Sequence, residues 1–376
     1  MASRSERRGG APEIASVAPA ARDLPALTGL RFFLAMWVLS YHTEQTITPT
    51  QGYVPVMHDG YLGVDVFFIL SGFILAHVYG PRFAAHEPGL YRRFVWLRFA
   101  RVWPAYATAL LATALMQIVR ANFGSGIFKI EHPIAWTWQL ARHLAMVQSW
   151  GLADFYQFNL PGWSLSAEWA AYLLFPLFLL VARGLKRGPL LALGMAVGFV
   201  SLYAVFRLLG HPDLDKPGDN GMMRLAAEFF AGVALCMMTT PRRFARLGDI
   251  AALGGAVVSV TMLATWGHDH PLEGDVLALP LFVLMVWGCT QDGPLVRRLL
   301  SNRPMLFLGA ASYSIYLIQS PVDDVFELIA GRLHLHGPAE LLPVALLSAA
   351  AAIVAGCIVL VLVERPWREA LRRFIG

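Results

Sequence analysis

Charge is scarce in this sequence. Only 15% of its 376 residues are Asp, Glu, Lys or Arg, against about a quarter in a chain that must cover its surface with water-binding groups. That shortage excludes a disordered chain and argues against an ordinary cytosolic enzyme. Cysteine is scarcer still. Cys236, Cys289 and Cys357 each sit inside an apolar run, without C-x-x-C or C-x-x-H spacing. They read as small buried hydrophobes, and a disulfide scaffold or zinc finger is excluded. Repeats of 20–50 residues, an appended soluble catalytic domain and a G-x-S-x-G elbow are all missing as well. What fills the chain instead is apolar: 57% of residues are hydrophobic and the mean hydropathy is +0.54. This composition belongs to an integral membrane protein.

Ten apolar stretches approach the ~20 residues that a helix needs to cross the hydrocarbon of a bilayer. They run over 27–47, 60–80, 99–119, 163–182, 189–209, 222–239, 248–267, 274–291, 305–330 and 340–363. The expected fold is all-α and polytopic, with about ten transmembrane helices. Most of the 30 Lys and Arg lie before the first stretch, after the last, or in alternate connections. Those connections hold groups such as Arg92, Arg93 and Arg98, then Arg183, Lys186 and Arg187, then Arg242, Arg243 and Arg246. The other connections carry acids, among them Asp213, Asp215 and Asp269. Such alternation is the positive-inside pattern and places both termini in the cytoplasm. It also accounts for the net charge of +5 without nucleic acid. Residues 1–26 read as a disordered cytoplasmic tail, 27–366 as the transmembrane unit and 367–376 as a basic cytoplasmic tail. The connection at 121–162 contains Trp136, Trp138, Trp150 and Phe155. It reads either as an interfacial aromatic belt or as an acceptor-binding surface.

Ionisable groups inside hydrocarbon cost several kcal/mol unless paired, so they mark function or specific pairing. Arg31 and His42 share the first stretch, eleven residues or about 16 Å apart, on nearly the same face. Asp65 and Ser71 follow on the second. Arg98 and Arg101 start the third at i and i+3. Trp163, Ser164 and Glu168 open the fourth, and Tyr316 and Gln319 polarise the ninth. Two groups at different depths are expected. Arg31, Arg98 and Arg101 form an inner basic group suited to phosphates. His42, Asp65, Ser164 and Glu168, with Gln319, form an outer group with acid–base capacity. The separation is comparable with a pantetheine arm, so an anionic donor docking from the cytoplasm would deliver its reactive end near His42. Each has a plainer alternative: a packed histidine for His42, snorkelling for Arg98 and Arg101, a structural ion pair for Asp65 or Glu168. Arg224 and Glu228, at i and i+4, read as a structural ion pair. His268 with His270, and His334 with His336, lack third and fourth ligands, and no metal site is expected.

The same residues fall in motifs. They are Leu27-Thr28-Gly29-Leu30-Arg31-Phe32-Phe33 with Tyr41-His42, and Gly63-Val64-Asp65-Val66-Phe67-Phe68 running to Ser71-Gly72-Phe73. Further on come Arg98-x-x-Arg101-x-x-Pro104, Trp163-Ser164-Leu165-Ser166-x-Glu168, Ser312-Tyr313-Ser314-Ile315-Tyr316-Leu317 and Glu364-Arg365-Pro366. In this order the chain resembles the acyltransferase-3 family of integral membrane O-acyltransferases. The resemblance implies transfer of an acyl group, commonly acetyl from acetyl-CoA, to a hydroxyl of an extracytoplasmic carbohydrate or related envelope or secreted acceptor. It implies a multi-pass protein of the bacterial cytoplasmic (inner) membrane, with acyl-CoA as donor and no tightly bound cofactor. Carried onto this sequence, His42, Asp65 and Glu168 would be catalytic, with Asp65 orienting His42. Arg31, Ser71, Arg98 and Arg101 would bind the donor. Trp163, Ser164, Tyr316 and Gln319 would bind substrate. One departure is visible: Gln319 stands where the family pattern has histidine, and Gln is no general base. Direct transfer is favoured, because no activated Ser or Cys is evident. The alternative from another class is a transporter or flippase of a lipid-linked or small-molecule substrate, although no inverted repeat is visible.

Overall fold

The computed structural model describes residues 24–47, 54–123, 133–151, 158–215 and 219–374. Among these residues the chain is helical throughout, without strands. In order, the helices are α1 (Pro25–Ile47), α2 (Pro55–His58), α3 (Gly63–Ala84), α4 (Leu90–Phe123), α5 (Pro133–Leu144), α6 (Gly162–Leu185) and α7 (Gly188–Leu208). There follow α8 (Asp219–Met238), α9 (Ala245–Met262), α10 (Pro271–Thr290), α11 (Pro294–Leu300), α12 (Arg303–Arg332), α13 (Pro338–Val359) and α14 (Arg365–Arg372). Nine helices among the described residues are long and apolar enough to cross a membrane. The first of the ten expected stretches, α1, matches them in length with 23 residues, but Arg31 and His42 make it less apolar. Leucines on the outer faces, such as Leu180, Leu193, Leu347 and Leu362, stay exposed. In water those positions would be costly; in lipid they are solvated.

Small residues bring the helices that carry polar groups into backbone contact, the usual device where lipid supplies no hydrophobic drive between helices. Gly72 of α3 lies against the Phe229 carbonyl of α8, and Gly232 of α8 against the Ile69 carbonyl of α3. A Cβ at either would collide with backbone. Gly29 and Gly309 likewise seat α1 on the segment Leu300–Gly309 and α12 on Thr28. These approaches set α1, α3 and α12 around α4 and α6, with Ser71, Glu168 and Tyr316 facing inward.

Two features modify the expected boundaries. Pro321, Asp323 and Asp324 do not interrupt the ninth stretch, since α12 continues to Arg332 and Asp323 accepts a hydrogen bond from Ser348 Oγ at 2.6 Å. Beyond α13 the chain forms a π-helical segment, Leu360–Glu364, and then α14. The wider turn leaves Glu364 fully buried and aimed at α4, the placement in which π-segments recur at functional sites. The C-terminal residues expected as a tail are helical as far as Arg372. The expected N-terminal tail, apart from Leu24 onward, lies outside the described residues.

Candidate active site

A cavity of about 130 Å³ opens between α1, α3, α4, α6 and α12. Arg31, Arg98 and Arg101 supply three guanidiniums to its wall, and Ser71, Ser164, Glu168 and Tyr316 line it with them. The expected separation of an inner basic group from an outer acid–base group is therefore not what forms. Glu168 and Ser164 share one chamber with the arginines.

Each polar group has a defined hold. Glu168 Oε1 accepts from Ser71 Oγ and from Tyr172 Oη, both at 2.5 Å. Tyr172 lies one turn after Glu168 on α6, a neighbour that i, i+4 spacing announces. Arg31 faces Glu168 across the chamber, with its guanidinium 6.0 Å from the centre of the Phe67 ring. Arg98 donates to Tyr79 Oη at 3.2 Å and lies over that ring at 5.3 Å. Arg101 is ion-paired with Glu364, whose other oxygen accepts from Ser314 Oγ at 2.8 Å. It also lies 5.5 Å over the Tyr313 ring. At one end, Ser164 Oγ and Tyr316 Oη are 2.7 Å apart, and both donate to the Pro161 carbonyl at 3.0 Å. Three cations against Glu168 and the shared Glu364 leave the chamber positive, so it favours an anion or a polarised carbonyl.

His42 and Asp65 do not line this cavity, and they do not form the expected pair. Both Asp65 oxygens are taken by Arg224, Nη2 to Oδ2 at 2.6 Å and Nε to Oδ1 at 3.2 Å. Asp65 and Arg224 are completely buried. This also corrects the reading of Arg224 as the partner of Glu228: Arg224 reaches across to α3, and Glu228 lies beside Asp65. His42 Nδ1 instead meets the Val38 carbonyl at 2.9 Å. An Nδ1–H held by a carbonyl makes Nε2 the basic nitrogen, so the backbone supplies the tautomer control expected of Asp65. The site's relation to His42 follows from α3. Gly63 packs on Val38 and Leu34 of α1, and the next residue, Val64, lines the cavity. Val38 stands one helical turn before His42 on α1, so the α3 wall of the cavity begins at about that depth.

Two expected substrate residues also stand elsewhere. Trp163 is buried under the Arg224 guanidinium at 5.2 Å and against Phe68 at 6.1 Å, as part of the ion pair's packing. Gln319 is buried on α12, outside the cavity lining, and among the described residues neither amide atom has a hydrogen-bond partner. The segment 133–151 packs against α4 and α6. Trp136 of α5 donates to Gln117 Oε1 at 3.0 Å, and Trp150 donates to the Ser166 carbonyl at 3.0 Å. Trp138 is exposed, and Phe155 lies outside the described residues. Tyr79, Tyr172, Arg224 and Glu364 are the site's supports that sequence reasoning did not assign. Glu364 was visible in its Glu-Arg-Pro motif; the Asp65–Arg224 pairing left no local signal.

The acyltransferase-3 profile, described as an acyltransferase domain, matches residues 24–362. The chain belongs to this family. Among curated relatives it is 29% identical over 384 residues to acyltransferase MdmB of Streptomyces mycarofaciens, covering 93% of each chain. It is 24% identical over 322 residues to peptidoglycan O-acetyltransferase OatA of Listeria monocytogenes, covering 80% of this chain and 49% of that protein. The same 24% is found over 328 residues with the putative peptidoglycan O-acetyltransferase YrhL of Bacillus subtilis. The chain thus spans about half the length of the peptidoglycan O-acetyltransferases it matches. No solved structure matches it.

Proposed function

We propose that this chain is a membrane-embedded O-acyltransferase. It takes an acyl group, acetyl in the first instance, from cytoplasmic acyl-CoA and passes it to a hydroxyl of an extracytoplasmic carbohydrate or related envelope or secreted acceptor. The observation that carries this reading is the cavity in which Arg31, Arg98 and Arg101 meet Ser164, Glu168 and Tyr316, with His42 farther along α1, the helix that supplies Arg31. A thioester donor has the matching shape, anionic at one end and electrophilic at the other. The family supplies the reaction class, and the names of OatA and YrhL supply a carbohydrate polymer as the kind of acceptor.

In this mechanism Arg98 and Arg101 hold the anionic part of the donor, and Glu168 faces Arg31 across the chamber. The thioester reaches the Ser164–Tyr316 end. The acceptor hydroxyl approaches from the outer side, and His42 Nε2 removes its proton as the oxygen attacks the thioester carbonyl. Collapse of the tetrahedral intermediate breaks the C–S bond, and the thiolate takes up a proton on its way out. Asp65 acts by holding α3 to α8, not by orienting the imidazole.

The test uses purified protein in detergent with acetyl-CoA and an envelope glycan fraction. Free thiol release coupled to a new acetyl mass on the glycan is the expected result. A protein that moves glycan or lipid without consuming acetyl-CoA would overturn the proposal. Mass spectrometry of envelope glycans and secreted products, with and without the gene, names the acceptor.

A further inference from the structure

On the side that carries the arginine-rich connections, the first turns of α4 meet α14 around a groove of about 700 Å³. Arg92, Arg93, Trp96, Leu371 and Phe374 line it. Trp96 Nε1 donates to the Leu371 carbonyl at 2.8 Å, which ties the two helices together. The indole also stacks on Phe99 at 5.7 Å, so its plane is fixed in the groove wall.

From this groove a line of guanidiniums runs to the cavity. Arg368 and Arg372 occupy one face of α14 at i and i+4, and both lie within electrostatic reach of Arg98. Arg368 also faces Arg101. Their counter-charges are few. Glu369 lies beside Arg368 and Arg372, and Glu364 is shared between Arg101 and, at 3.8 Å, Arg368. The Nε atoms of Arg98 and Arg368 are buried without a hydrogen-bond partner among the described residues. Like charges this close, with unsatisfied donors between them, describe an anion site that continues beyond the cavity.

We infer that this groove docks the nucleotide end of the donor, a phosphorylated adenosine diphosphate. The base lies against Trp96, one phosphate lies along Arg93 and Arg372, and the diphosphate runs past Arg368 to Arg98 and Arg101 at the chamber. The inference rests on acyl-CoA being the donor and extends that reading to residues outside the cavity. Eight residues, about 12 Å of helix, separate Arg93 from Arg101, so a pantetheine arm leaving the groove enters the arginine-lined chamber. Lipid headgroups offer the same phosphate chemistry; the fixed indole plane favours a ligand with a base to stack.

The experiment measures binding of adenosine 3′,5′-bisphosphate and of CoA to purified full-length protein, and turnover with acetyl-CoA and with S-acetylpantetheine. Wild type binds the bisphosphate, and CoA displaces it. Arg93→Gln and Arg372→Gln each weaken CoA binding at least about tenfold and raise the KM for acetyl-CoA, with kcat retained. Kinetics with S-acetylpantetheine, which lacks the nucleotide, do not change. Trp96→Leu weakens the bisphosphate and Trp96→Phe restores it. If the wild type binds CoA and the three variants bind it equally well, the groove is not the docking site, although the donor reading stands. If the wild type binds no CoA, both fall. Retention of labelled phosphatidylglycerol that is lost in Arg93→Gln while CoA binding is unchanged assigns the groove to lipid headgroups and overturns the inference.

Discussion

Arg224 and Asp65 lie 159 positions apart in the chain, yet their side chains close a two-point ion pair with neither exposed to solvent. The pair spans α8 and α3, the helices also joined by the Gly72–Phe229 and Gly232–Ile69 approaches, and the Arg224 Nη1 also donates to the Leu214 carbonyl at 2.6 Å. Removing one partner of a buried pair leaves an uncompensated charge, which costs about 3–5 kcal/mol. Arg224→Gln is the more damaging change, because it leaves Asp65 next to Glu228 without a cation. Both Arg224→Gln and Asp65→Asn should lower the detergent melting temperature, and Asp65→Leu/Arg224→Met should recover part of the loss. An Asp65→Asn protein that melts normally but loses most of its turnover would return Asp65 to the catalytic group.

That pair marks the boundary of what the sequence could tell. Hydropathy locates the helices, because apolar length is a local property, and charge alternation orders their ends. Arg31, Ser71, Arg98, Arg101, Ser164, Glu168 and Tyr316 are legible as site residues because each is a polar group in an apolar run, but the sequence divides them between two depths and the structure brings them into one chamber. Which carboxylate meets which cation is not legible. Asp65 and His42 have matching depths on consecutive helices, yet helix rotation decides the partner, and the close α3–α8 packing through Gly72 turns Asp65 toward Arg224. Trp163 fails for the same reason: its position on α6 is right, but its face is the one beneath Arg224.

His42 is expected to act independently of Asp65. His42→Ala should lower turnover roughly 100-fold or more with little change in donor affinity, since general-base catalysis contributes on that scale. With Nδ1 held by the Val38 carbonyl, the two residues share no hydrogen bond. Their effects on activity, corrected for folded fraction, should multiply in His42→Ala/Asp65→Asn. A double variant no worse than His42→Ala alone would show that they act as one unit after all.

Glu168 faces Arg31 across the chamber and is fixed by two hydroxyl donors on one oxygen. Tyr172→Phe and Ser71→Ala each remove one donor to a charged acceptor, worth about 1.5–3 kcal/mol. Both are expected to raise the KM for donor more than they lower kcat, and Glu168→Gln should do so more strongly. Should Glu168→Gln instead reduce kcat at unchanged KM, the carboxylate takes part in the chemical step.

Membrane orientation is tested by cysteine labelling, because Cys236, Cys289 and Cys357 lie within spans and are buried or half-buried. A cysteine at Gly188 has open space around it, and one at Asp269 lies at the exposed end before α10. An impermeant thiol reagent on whole cells should reach Asp269→Cys and leave Gly188→Cys unlabelled. The reverse pattern would put the arginine groove and cavity on the side away from cytoplasmic acyl-CoA.

His143, at the end of α5 outside the spanning helices, provides a pH signature of the cap that α5 forms over α6. Its ring is buried, Nδ1 accepts from Tyr106 Oη at 3.0 Å, and that hydroxyl accepts in turn from Gln148 Nε2 at 3.0 Å. Gln148 Nε2 also donates to the Gly162 carbonyl at 2.7 Å, so the network fixes the start of α6 over the chamber. Burial, reinforced by neighbouring Arg142, pushes the imidazole down from 6.5 to about 4. Between those values the unfolded chain binds a proton that the folded chain refuses. Stability contributed by the neutral ring is therefore complete above pH 6.5 and declines as pH falls towards 4, by about 3 kcal/mol in all. His143→Gln keeps an acceptor for Tyr106 and removes the titration. Its melting temperature in detergent should change less between pH 7.5 and pH 4.5 than that of the wild type, after the shared loss from other groups is subtracted. Parallel curves for the two proteins would mean that His143 is protonated without opening the cap, and that the Tyr106–His143–Gln148 network does not secure the start of α6.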